Sequence, residues 1–86
     1  MPTISSFFGI SIRMFYDDHA PPHFHAGYAG DEAVIEILPL RMLRGALPIR
    51  ARSMVLEWAG LHQQELLEDW NLARDRRPLI CIPPLR

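Results

Sequence analysis

The hydrophobic period of this chain changes at Pro48, and that change restricts the folds open to it. Before Pro48 the apolar residues alternate, as in half-buried strands. After it they recur every three or four residues, as on one face of a helix. From Phe8 to Tyr16, Ile10, Ile12, Met14 and Tyr16 share one side, while Ser11, Arg13 and Phe15 share the other. Gly9 marks a bend or a close backbone approach. Asp17 to Pro22 reads as a loop, because its two prolines cannot donate to a sheet ladder. His23 to Tyr28 reads as a second strand, with Phe24, Ala26 and Tyr28 on one face and His23, His25 and Gly27 on the other. Ala29-Gly30-Asp31 is a hairpin-type turn. Glu32 to Leu38 is a third strand, with Ala33, Ile35 and Ile37 inward and Glu32, Val34 and Glu36 outward. Leu40 to Arg44 is a short fourth.

Pro48 then opens a helix, a position where its missing N–H does no harm. Ala51, Val55, Trp58, Ala59, His62, Leu66, Trp70 and Ala73 form its apolar stripe. Uninterrupted from Pro48 to Arg74, the helix would be roughly 40 Å long. That length calls for a bend or an overhang onto a partner. Leu79 to Ile82 offers one more short strand. The expectation is an α+β fold: an antiparallel three- or four-stranded meander with one long helix packed on one face. One helix covers only part of such a sheet. The opposite face, with Phe15 and Val34, is then a surface for a second copy or another protein.

The 86 residues make one domain, 1–86, and an apolar content of 49% is that of a globular protein. Cys81 is the only cysteine, so no internal disulfide forms, and it reads as a buried, inert thiol. The start of the chain has no leader pattern, and its apolar runs are far short of the ~20 residues that cross a bilayer. A cytoplasmic location with no membrane partner is expected. The net charge of −1 argues against a general nucleic-acid binder. All nine basic residues are arginine, which suits bidentate carboxylate or phosphate recognition but is explained first by a GC-rich genome. Arg41, Arg44, Arg50 and Arg52 gather before and at the helix start. They read as solvated surface, or as a face for an acidic partner or RNA. Arg74, Arg76 and Arg77 complement the helix dipole at its end.

The chemistry concentrates in Asp17-Asp18-His19-Ala20-Pro21-Pro22-His23-Phe24-His25, which holds three of the four histidines. His23 and His25 leave the same face of a strand, so two imidazoles can converge on one ion. His19 can fold back as a third ligand, and Asp17 or Asp18 can supply a carboxylate. Such a set suits zinc, iron, manganese or nickel. The bland reading is equally concrete: the histidines bond to backbone or to Asp17 and Asp18 and merely hold the loop. His62 sits mid-stripe as a core histidine or as a further catalytic candidate beside Asp17 and Asp18. Asp69 lies near its line as a carboxylate able to orient an imidazole. Strand alternation sets His23 and His25 away from His62, leaving His19 as the histidine able to approach it.

Several segments together resemble an uncharacterised bacterial family, a domain of unknown function. They are Pro2-Thr3-Ile4-Ser5, Phe7-Phe8-Gly9-Ile10, Ile12-Arg13-Met14, Tyr16-Asp17-Asp18-His19 and Pro21-Pro22-His23-Phe24-His25-Ala26. Leu56-Glu57-Trp58-Ala59, His62, Glu65-Leu66-Leu67 and Trp70 continue the match. The resemblance implies a stand-alone cytoplasmic protein. It also implies a gene beside a second small protein, an arrangement similar to toxin–antitoxin pairs. The chain departs from the family pattern at Leu38 to Gly45, where related chains are acidic and turn-like. Three functions follow as expectations. The first is a protein-interaction module, one half of such a pair, holding the small protein encoded nearby or a second copy. The second is a metal-dependent hydrolase, a nuclease among the candidates, with zinc or a similar ion on His19, His23 and His25. The third is a structural domain without metal.

Overall fold

The computed structural model describes residues 2–86. Five strands form one antiparallel meander in the order β1 (Thr3–Phe7), β2 (Ile10–Arg13), β3 (His23–Tyr28), β4 (Asp31–Glu36) and β5 (Arg41–Gly45). Two helices follow, α1 (Ile49–Leu61) and α2 (Gln63–Arg74). The architecture is α+β, with one more strand and one more helix than the sequence predicts.

The additional strand comes from Phe8-Gly9. Both residues have positive φ, 49° and 80°, the backbone of a two-residue hairpin turn. Phe7 therefore pairs with Ile10, and the segment before it becomes β1. An apolar Phe in the first turn position hides this turn from a reading based on Asn-Gly or Asp-Gly. Ala29-Gly30 repeats the geometry, with φ of 49° and 89°, between β3 and β4.

The helix expected over Pro48 to Arg74 is broken at His62, whose φ is −122°. Its N–H is shared between the Trp58 and Ala59 carbonyls at 3.1 and 3.2 Å. The break has a size argument behind it. Four strand spacings of about 4.8 Å span about 19 Å. One straight helix across residues 49–74 would run about 39 Å. Divided, both halves stay on a body whose longest extent is 33 Å.

Trp58 is the centre of the core. It is fully buried, 5.4 Å from the Phe7 ring and 5.9 Å from the Phe24 ring, and its Nε1–H donates to the Pro83 carbonyl at 2.8 Å. Ile10, Ile12, Ile35, Val55 and Leu66 belong to the same core cluster and have no exposed surface. The tail beyond α2 forms no strand. It lies against β1 through one bond, from the Ile82 N–H to the Ile4 carbonyl at 2.8 Å, and it leaves Cys81 exposed rather than buried.

The opposite face of the sheet is not left wholly for a partner. The loop from Met14 to Pro22 brings Phe15 onto His25 at 4.4 Å between rings. Val34 and Glu36, expected outward to solvent, are both buried. Glu36 accepts a hydrogen bond from Arg41 Nε at 2.7 Å. No helix among the described residues is long and apolar enough to cross a membrane.

At the end of β5, Gly45 has φ of +76°, and a Cβ there would stand 2.2 Å from the Glu32 carbonyl oxygen. The substitution Gly45→Ala adds left-handed strain to a clash with fixed backbone. It is expected to lower stability by at least ~2 kcal/mol in urea unfolding, whereas Gly30→Ala, with no atom in its way, meets the backbone strain alone.

Candidate metal centre

Core packing dictates the site. Phe24 and Ala26 of β3 are buried on the helix side, so His23 and His25 leave the other side. Their register partners are Glu36 and Val34 on β4. The loop before β3 supplies the third residue. Asp17 takes a positive φ of 54°, its carboxylate pairs with Arg76, and its N–H reaches the Ala73 carbonyl at 3.5 Å. Asp17 is thus a fastening between the loop and the end of α2. Asp18, the next residue, turns its carboxylate toward the histidines.

One oxygen of Asp18 lies 2.8 Å from His23 Nε2 and 3.7 Å from His25 Nε2. The other accepts the His19 backbone N–H at 3.0 Å and meets His19 Nδ1, also at 3.0 Å. Asp18, His23 and His25 place one ligand atom each within 4.8 Å of one another. His19 stays at the rim, its side chain 93% exposed. His62 is elsewhere: its Nδ1 lies 2.5 Å from Glu65 Oε1, and its ring rests 5.5 Å from that of Trp58.

The protonation of His23 follows from its neighbours. Its Nδ1 is 2.8 Å from the Pro21 carbonyl oxygen, which only accepts, so Nδ1 carries the hydrogen. Nε2 then faces the Asp18 carboxylate in one of two ways. Either it is also protonated, as an imidazolium, or it offers a lone pair beside a carboxylate, a pairing that a cation between them stabilises. A carbonyl holding Nδ1–H is a common support for histidines that ligate metal through Nε2. His25 Nε2 is buried and has no hydrogen-bond partner among the described residues, and 3.7 Å is too long for a bond to Asp18.

The charge states suit ligation. Burial pushes the Asp18 carboxyl up. The His23 hydrogen bond, the His19 N–H and the charge of His23 outweigh it and hold the group below its ordinary value. Burial, followed by the charge of His23, pulls the His25 imidazole down, against smaller opposing effects of Glu32 and Asp18. At neutral pH Asp18 is therefore a carboxylate and His25 a neutral imidazole, the forms in which these two groups bind a metal.

Two neighbours of this centre escape a reading of the sequence. Phe15 roofs His25, and Trp70 of α2 stands 5.1 Å from the His23 ring. The helical stripe marks Trp70 as buried but does not say against what. Asp69, read as an orienter of an imidazole, instead accepts the Ile80 N–H at 2.9 Å and so ties down the tail.

The fold and site define a small α+β protein with an aspartate–histidine cluster on the open face of its sheet. The chain belongs to the family described as Domain of unknown function (DUF4160), whose model matches residues 9–71 and so includes the whole cluster. No curated protein and no solved structure matches the chain.

Asp69 generates a pH prediction. Burial pushes its carboxyl up. The Ile80 N–H opposes this, and the charges of Glu68 and Glu65 add to it. The folded state therefore keeps a proton that the unfolded chain has released. Stability falls as pH rises from about 4, the ordinary carboxylate value, through the raised folded value. Asp69→Asn keeps an acceptor for the Ile80 N–H but does not titrate. Melting temperatures measured across pH 3 to 8 are expected to decline less steeply for this variant than for the wild type.

Proposed function

We propose that this chain is a metal-dependent hydrolase that binds a divalent transition ion, zinc being the best fit, through Asp18, His23 and His25. One observation carries the reading: three ligand atoms converge within 4.8 Å, and one of them, His25 Nε2, is buried with no hydrogen-bond partner among the described residues. A buried polar atom left unsatisfied costs about 1–3 kcal/mol, so a native site that keeps one calls for an explanation. Three protein ligands leave a coordination position open, which is the arrangement of catalytic rather than structural zinc. A water held there loses its proton near pH 7. His19, oriented by the second Asp18 oxygen and exposed at the rim, is positioned to carry that proton.

Zinc titrated into tag-free protein is expected to bind with one-to-one stoichiometry by calorimetry, and His25→Ala is expected to abolish the heat. At a zinc concentration about 100 times Kd, linkage contributes about 2.7 kcal/mol, which for a domain of this size raises Tm by roughly 10–20 °C. Absence of bound metal, together with melting unaffected by chelator, would refute the reading.

A second reading, the interaction module of a two-gene pair, has its own support. Leu38 and Leu61 are 60% and 68% exposed and line one hollow with Gly60 and Leu67. This reading expects a small protein encoded beside the chain, and the two, co-expressed, are expected to co-elute on size exclusion at micromolar concentration. Leu61→Glu is expected to separate the two without changing zinc binding. Separate elution of the wild-type proteins counts against this reading.

A further inference from the structure

A row of side chains crosses the open face of the sheet through the proposed centre. Arg13, His25, Val34 and Arg44 are successive register partners on β2, β3, β4 and β5. At about 4.8 Å per strand, the two arginine Cα atoms stand about 14 Å apart, with His25 between them. The arginines differ in their company. Arg13 pairs with Glu32. Arg44 makes no ion pair among the described residues. It lines a hollow of about 130 Å³ with His19, Pro21, His23, Val34 and Leu43. That volume is well below the ~300 Å³ at which pockets begin to enclose a whole small molecule. The hollow therefore holds one group of a substrate whose remainder lies on the open sheet.

We propose that Arg44 is an anion-binding residue of this site and that the substrate is a phosphate ester. The inference rests on the metal-hydrolase reading and adds the substrate class to it. Of the three proposed ligands His23 alone borders the hollow, opposite Arg44, and we take the group seated there, beside the centre, as the reacting group. A reacting group that meets a guanidinium before any bond changes should already be negative. Carboxylic ester and amide carbonyls are neutral, whereas a phosphoryl group carries charge throughout. The guanidinium fork matches two of its oxygens. The reaction balances with water alone. The hydroxyl of the bound water joins phosphorus, the P–O bond to the leaving group breaks, and the proton from the water reaches the leaving oxygen through His19.

Arg44 lies exposed on the edge strand, so its replacement is expected to leave the fold intact. Inorganic phosphate is titrated by calorimetry and NMR into the wild type, Arg44→Gln and Arg44→Lys, each with and without zinc. Phosphate is expected to bind the wild type and to bind more tightly with zinc. Arg44→Gln is expected to weaken binding at least about tenfold in both conditions, as loss of a charged hydrogen-bonding group does. Arg44→Lys is expected to recover part of the loss. With zinc bound, p-nitrophenyl phosphate and bis(p-nitrophenyl) phosphate show whether a monoester or a diester is cleaved. Equal phosphate binding by wild type and Arg44→Gln overturns the proposal, as does zinc-loaded protein that cleaves neither ester. Arg44-dependent phosphate binding in a protein that takes up no zinc supports the anion site and refutes the metal reading alone.

Discussion

The central strand β3 is the constraint on which the molecule turns. Its side chains alternate between two faces of the sheet. Phe24 and Ala26 are packed without exposed surface beneath the helices, and Phe24 meets Trp58 edge-on. Because the side-chain period of a strand is two, this packing sends His23 and His25 to the opposite face together. A slip of one residue would bury two imidazoles under Trp58 and expose a phenylalanine. The hydrophobic core thus holds the histidines in register, and the candidate site is a geometric consequence of that core.

The second contribution is the loop that folds over the open face. It is fastened at both ends by groups outside the cluster. Asp17 binds Arg76 and the Ala73 carbonyl near the end of α2, and the Ile37 N–H donates to the Pro22 carbonyl at 3.0 Å. Between these ties, Asp18 faces the two imidazoles and Pro21 aligns the His23 ring through its carbonyl. The prolines therefore contribute stiffness and also an oriented acceptor. The broken helix serves the same end. Its second half brings Trp70 to His23 and Ala73 to Asp17, which a straight helix running off the sheet would not do.

Much of this was legible in the order of residues, and the exceptions share a cause. β3 is legible to its observed limits, because six alternating residues between a Pro-Pro loop and a glycine turn leave little choice. β1 is not, because Phe8-Gly9 makes a hairpin turn with an apolar first residue, so local composition and backbone conformation disagree there. The break at His62 is hidden because periodicity continues across it. Ala59 and Leu66 both face the core, and nothing in their spacing reports the interruption. At the site, the shared face of His23 and His25 was legible from alternation. The choice of Asp18 over Asp17 was not, since the two are adjacent and identical in type. A positive φ at Asp17 turns one carboxylate toward Arg76 and leaves the next for the histidines.

By itself, the sequence determined the class of fold, the side of β3 from which the histidines emerge, and the concentration of ligating groups before that strand. These are properties of period and local chemistry, which act over a few residues. It takes the folded chain to pair His62 with Glu65, to set Asp69 on the tail, and to leave His19 in solvent while Asp18, His23 and His25 converge. It also decided that Arg44, nineteen residues beyond His25, falls in the same row across the sheet. The reason is physical. Convergence of side chains depends on strand register, a helix break and a fastened loop, and each of these is settled by packing between segments far apart in the chain.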